Sequence, residues 1–159
     1  MGVTRAFVIA LLALTACSPG PATQTAPART EAATVNTAIA GVAPLRADGP
    51  ADFETPSGNV GCNYIPESGD GVFYSPDGGA ELICDRIAPR YVRFSLPARG
   101  IATLEVHVRD TGCCGGPVLI YGAHWSGGPF QCDSRETGLQ CSNADGHGFT
   151  LSRSEATAK

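Results

Sequence analysis

The stretch from Tyr91 to Arg109, YVRFSLPARGIATLEVHVR, decides the fold class. Val92, Phe94 and Leu96 alternate with Tyr91, Arg93 and Ser95. Further on, Ala102, Leu104, Val106 and Val108 alternate with Thr103, Glu105, His107 and Arg109. Successive side chains of an extended chain point to opposite faces, so a period of two marks a strand with one buried face. Shorter strand candidates lie at Val60–Tyr64, Val72–Ser75, Glu81–Asp85, Val118–Tyr121, Phe130–Asp133, Gly138–Ser142 and Phe149–Ser152. Turn clusters separate them: Gly69-Asp70-Gly71, Pro76-Asp77-Gly78-Gly79, Gly127-Gly128-Pro129 and Asp145-Gly146. Many short strands at this spacing predict an all-β, antiparallel sandwich or barrel over residues 51–159. No helix is expected there.

Composition agrees. The 159 residues include 20 Gly and 12 Pro but only 16% charged residues, which excludes a coiled coil or long-helix protein. A net charge of −4 excludes a basic nucleic-acid footprint. Lys159 is the only lysine, so motifs that need an internal lysine, such as the P-loop, are absent.

Upstream, Ser18 to Pro50 holds nine Ala, five Thr and five Pro among 33 residues, with no aromatic. Such a stretch buries too little apolar surface to offset its ordering entropy, and 17–50 reads as a tether. Before it, Arg5 precedes the apolar run Ala6–Leu14. As a helix that run spans only about 14 Å, against about 30 Å of bilayer hydrocarbon, so residues 1–16 read as a signal peptide rather than a spanning segment. Leu14-Thr15-Ala16-Cys17 resembles the bacterial lipobox, which implies acylation of Cys17 and an anchor of the stable, multi-chain kind. The expected location is a cell or outer membrane, with the domain facing the periplasm or exterior. The membrane is then a partner through the N-terminal lipid.

Six cysteines remain, an even number in an exported domain, and they predict three disulfides. Phe130–Asp133 and Gly138–Ser142 look like hairpin arms, which favours Cys132–Cys141. Cys62–Cys84 comes next, between strand candidates. Cys113 and Cys114 are left as a vicinal bridge, as two thiols, or as partners of other cysteines. A vicinal bridge would be strained, because adjacent α-carbons stand only about 3.8 Å apart.

The segments Phe53-Glu54-Thr55-Pro56-Ser57-Gly58-Asn59-Val60-Gly61-Cys62 and Trp125–Arg153 (WSGGPFQCDSRETGLQCSNADGHGFTLSR) carry a family resemblance, which covers about Phe53–Cys62 and Leu119–Arg153. They are similar to uncharacterised bacterial secreted proteins and lipoproteins that open with TPSGN-x-x-C. Those proteins close with F-x-C-x-S, G-x-x-C-x-N and GHGF-x-x-SR. Between Asn63 and Pro117 this chain departs from the pattern, with an acidic, Gly-rich stretch and the Cys113-Cys114 doublet. The resemblance implies an envelope domain and no particular activity.

No catalytic constellation is legible. Ser126 has His124 two places before it, where a nucleophile elbow needs glycine. His107 falls on the polar face of its strand, and His124 sits beside Trp125 where the two rings could pack. His147 lies in the glycine-flanked loop Asp145-Gly146-His147-Gly148 and is a candidate binding residue, as is Trp125. No metal site and no cofactor are expected, since no His or Cys pair has ligand spacing. Charge is polarised: seven acids from Asp52 to Asp85 have no base among them, and Arg86, Arg90, Arg93 and Arg99 follow without an acid. These charges either satisfy one another across strands or leave Arg86, Arg90 and Arg93 as a patch for an envelope protein or wall polymer. The function expected from sequence is a non-catalytic, lipid-anchored binding module. An inhibitor of a lysozyme-like enzyme and a thiol-redox protein using Cys113 and Cys114 are the alternatives.

Overall fold

The computed structural model describes residues 45–113 and 115–159. The signal peptide, the lipobox with Cys17, most of the tether and Cys114 lie outside the described residues. Eleven strands and no helix occur among the described residues, so none holds a helix long and apolar enough to cross a membrane.

One sheet has the order β2-β3-β4-β5-β6, from β2 (Ala51–Glu54), β3 (Val60–Ile65), β4 (Glu81–Arg86), β5 (Val92–Pro97) and β6 (Thr103–Glu105). The other has the order β1-β7-β8-β9-β10-β11, from β1 (Leu45–Ala47), β7 (His124–Gly127), β8 (Phe130–Arg135), β9 (Gly138–Ser142), β10 (Gly148–Leu151) and β11 (Ala156–Ala158). Every pairing is antiparallel except that of β1 with β7, which is parallel. The architecture is a sandwich. Phe53, Val60, Tyr64, Leu82, Phe94 and Leu96 of one sheet share a single core with Trp125, Phe130, Leu139, Phe149 and Leu151 of the other. Phe94 and Phe149 stack across the interface with centroids 4.6 Å apart, and Phe53 meets Trp125 at 4.8 Å. Contacts of this kind add to the area that the rings already bury.

Both expected hairpin bridges are present. Cys132 lies opposite Cys141 on β8 and β9, and Cys62 lies opposite Cys84 on β3 and β4. Each sits in the core layer of its sheet, tying strands that also share a ladder.

The clearest alternation in the sequence makes one of the shortest strands. Of Ala102–Arg109 only Thr103–Glu105 pairs, at the sheet edge, and all three of its residues are exposed. Ala102 reaches the core, but Leu104 and Val106 are 39% and 41% exposed. An edge strand has a neighbour on one side only, and here the chain leaves the sheet at Val106. Val72–Ser75 forms no strand either. The Asp70 carboxylate accepts the backbone N–H groups of Val72 and Phe73, which pulls its pKa down, and this fixes a turn instead of an extended run. Val118 makes only an isolated parallel bridge to Glu54. Conversely, Leu45–Ala47, inside the stretch read as tether, forms the edge strand β1, and Ala51–Glu54 and Ala156–Ala158 form strands that no sequence pattern announces.

Gly148 shows why one glycine is obligatory. A Cβ there would lie 1.9 Å from the Cys141 carbonyl oxygen, so β9 and β10 could not keep their ladder.

Candidate functional site

The segment between β6 and Val118 leaves one edge of the five-stranded sheet and returns at the other. Pro117 accepts the Glu54 N–H through its carbonyl, and the Leu119 N–H donates to the Glu54 carbonyl, so the segment ends against β2. It therefore crosses the sheet's outer face as a strap, over a width of four strand spacings, about 19 Å. Two contacts and one tight approach hold it. Arg93 Nη2 on β5 donates to the Asp110 carbonyl at 3.1 Å. Cys113 Sγ rests 3.7 Å from the Asp85 carbonyl oxygen. Gly116, at a φ of +97°, packs so closely on Asp52 that a Cβ would fall 2.8 Å from its backbone.

Between strap and sheet lies a cleft of about 540 Å³. Its floor is Asp52, Gly61, Asn63, Ile65, Ile83, Asp85 and Arg93, the outward-facing partners of the core residues on β2 to β5. Asp110, Gly112, Cys113, Gly115 and Gly116 form the roof, and Phe73 stands at its edge. Asp85 and Arg93 are directly paired in the β4–β5 register and form a two-pronged ion pair, Nε to Oδ1 and Nη2 to Oδ2, both at 2.7 Å. The carboxylate is almost wholly buried. This pair raises the Arg93 pKa, so the guanidinium stays charged. Tyr91 donates its hydroxyl to Asp85 Oδ2 at 2.8 Å.

Burial first, and then the hydrogen bond and the charge of Asp85, push the Tyr91 phenol up to about 12 from 10.0. Ionisation is thus harder in the fold than in the unfolded chain. The stabilisation is fully present below pH 10 and is lost as pH climbs through about 12. An ultraviolet titration of the four tyrosines should show two late-ionising phenols, Tyr64, raised by burial, and Tyr91, and Tyr91→Phe should remove one of them. A Tyr91→Phe profile identical to that of the parent would refute the assignment.

The candidate residues named from sequence do not converge. Trp125 is 2% exposed and lies in the core, because His124 takes the outward position of that strand. Adjacent strand residues face opposite ways, so His124 cannot stack on the indole as expected. It pairs instead with Asp133, which Arg135 also contacts at 3.3 Å. His147 is half-buried in a loop organised by Asn143. The Asn143 amide donates to Pro97 and Gly100 carbonyls, and its oxygen accepts the Asp145 and His147 N–H groups. Its amide N–H groups thus tie this loop to the β5–β6 turn of the other sheet, and its oxygen folds the loop itself.

The arginines form no common patch. Arg86 is 7% exposed, donating to the carbonyls of Ser152, Glu155 and Arg90 at the end of the sandwich. Arg90 is exposed, and Arg93 alone lines the cleft. Cys113 is disulfide-bonded, and the expected pairing with Cys114 falls outside the described residues.

Sequence reasoning missed Asp52, Asn63, Ile65, Phe73, Ile83 and Asp110 as neighbours. The available signal was the glycine-rich run Gly112–Gly116, which marks a close crossing of backbones. A second cavity, about 170 Å³, lies where Thr55, Ser57 and Asn59 meet Gly138, Ser152 and Arg153. The two motif segments come together there, but Asn59 is already engaged, exchanging two hydrogen bonds with the Ala88 backbone.

No curated protein and no solved structure matches the chain. Residues 92–158, from β5 to β11, match the sequence model of a family of unknown function (DUF6636), so the chain is similar to an uncharacterised family over its C-terminal part, strap included.

Proposed function

We propose that this protein is a lipid-anchored component of the cell envelope that works by binding, and that its ligand enters the cleft beneath the strap. The observation that carries this reading is the 540 Å³ space itself, within the size range of small-molecule sites, with apolar and polar groups converging on one rigid sheet. The Asp85–Arg93 pair supports a binding role: both groups are engaged with each other, which suits a scaffold. The lipobox reading of Cys17 places the domain outside the cytoplasm, where disulfides persist.

Two measurements test it. Cys17→Ser should abolish incorporation of labelled fatty acid and release the protein from the membrane fraction; retention with the label intact would remove the anchor. The exported Cys17→Ser chain, isotopically labelled, should then respond to soluble wall fragments with shifts at Asn63, Ile65, Ile83 and Gly116. Shifts confined elsewhere would remove the cleft. The competing reading, an inhibitor of a lysozyme-like enzyme, draws on the loop Val72-Phe73-Tyr74, whose side chains are 61–77% exposed. Capture of a lysozyme that Phe73→Ser and Tyr74→Ser abolish would favour it.

A further inference from the structure

Resting on the reading of the cleft as a binding site, we infer that its ligand is an organic cation, an ammonium group carried on an apolar body. The cleft contains one guanidinium, Arg93, and three of its five N–H donors are directed to both Asp85 oxygens and to the Asp110 carbonyl. An anion would meet a guanidinium whose charge Asp85 already offsets. Two further carboxylates line the space. Asp52 accepts a hydrogen bond from Asn63 Nδ2 at 2.6 Å, and among the described residues neither Asp52 nor Asp110 pairs with a basic side chain. The cleft's formal charge is therefore negative, since Asp85 and Arg93 cancel.

Between these carboxylates the surface is apolar. Ile65 and Ile83 occupy the outer face of β3 and β4, a position usually given to polar residues in a solvated sheet. Phe73, 61% exposed, offers its ring at the edge. Asp52 lies on β2, and Asp110 is held by β5, so the two acids stand about three strand spacings apart, roughly 14 Å. A compact ammonium can meet either one while its apolar part covers the isoleucines.

The test uses three molecules of one shape: 3-phenylpropylammonium, 3-phenylpropanol and 3-phenylpropanoate, titrated into the exported Cys17→Ser chain. The ammonium should bind about tenfold more tightly than the alcohol, the gain of one charge-assisted hydrogen bond, with the carboxylate weakest. Shifts should map to Ile65, Ile83 and Gly116. Asp52→Asn with Asp110→Asn, both at exposed positions, should erase the preference and leave the alcohol's affinity unchanged. Equal binding of ammonium and alcohol, tighter binding of the carboxylate, or a preference that survives the double variant would overturn the cation inference, while the cleft remains a binding site. Silence from all three probes overturns it too. The binding reading itself falls only if wall fragments also leave the cleft unmoved.

Discussion

Replacing Cys62, Cys84, Cys132 and Cys141 together by alanine should leave the domain largely unfolded at room temperature. The bridges close loops with sequence separations of 22 and 9. The chain-entropy relation then assigns them about 3.4 and 2.6 kcal/mol, about 6 kcal/mol together. Domains of this size are stable by only about 5–15 kcal/mol in total. Cys84 and Cys132 are fully buried, so their loss also removes packing. Trp125, the only tryptophan, reports the result directly, because its indole is buried against Phe53 and Tyr64. Its emission should shift to that of a solvated indole in the quadruple variant, and each pairwise replacement should lower the denaturation midpoint by a part of that loss. A quadruple variant that keeps buried-tryptophan emission and the parent midpoint would show that the core needs no staples.

The second large effect is expected at Asp85. Removing one member of a buried ion pair leaves the other charge without compensation, a loss of 3–5 kcal/mol in fully buried pairs. Asp85 is almost wholly enclosed, but the Arg93 side chain is 22% exposed, so water recovers part of the penalty. Asp85→Ala should cost about 3 kcal/mol. Tyr91 loses its acceptor in the same step. Adding Arg93→Met to Asp85→Ala should restore much of the stability, because the uncompensated charge goes with it. A double-mutant cycle read by chemical denaturation measures the coupling. Strictly additive losses would mean that the pair contributes no more than two separate side chains.

One pair joins the two charge blocks of the sequence: Asp85, the last of the acids, lies on β4, and Arg93 on β5 falls opposite it by register. Mutual satisfaction across strands was one of two readings open from sequence. For Asp85 and Arg93 register decided in favour of the first, and register depends on where the hairpin turns, which no charge count supplies. The strand at Ala102–Arg109 teaches the opposite lesson. Its alternation is regular over eight residues, yet only three of them pair. Periodicity reports that a segment could bury one face; it carries no information on whether a neighbouring strand is present to receive it.

The cleft was not legible for a related reason. Asp52, Ile65, Ile83 and Asp110 come from four separate segments, and each looks like an ordinary surface position in its own strand or loop. They become a site only because the strap doubles back over the sheet. By contrast, the bridge Cys132–Cys141 could be placed in advance, since the two cysteines fall on the two arms of one hairpin, although the turn is Glu136-Thr137 and not the four residues Ser134–Thr137 expected.

What the chain determines by itself is local. Alternation and turn residues depend on neighbours within about ten positions and cysteine spacing on neighbours within about twenty, and they dictate strands, hairpins and two of the covalent links. What only the tertiary structure decided is which outward faces are left open and which are roofed. That depends on the path of irregular segments, whose backbone bonds go to partners far away in sequence, as those of Glu54 go to Pro117 and Leu119.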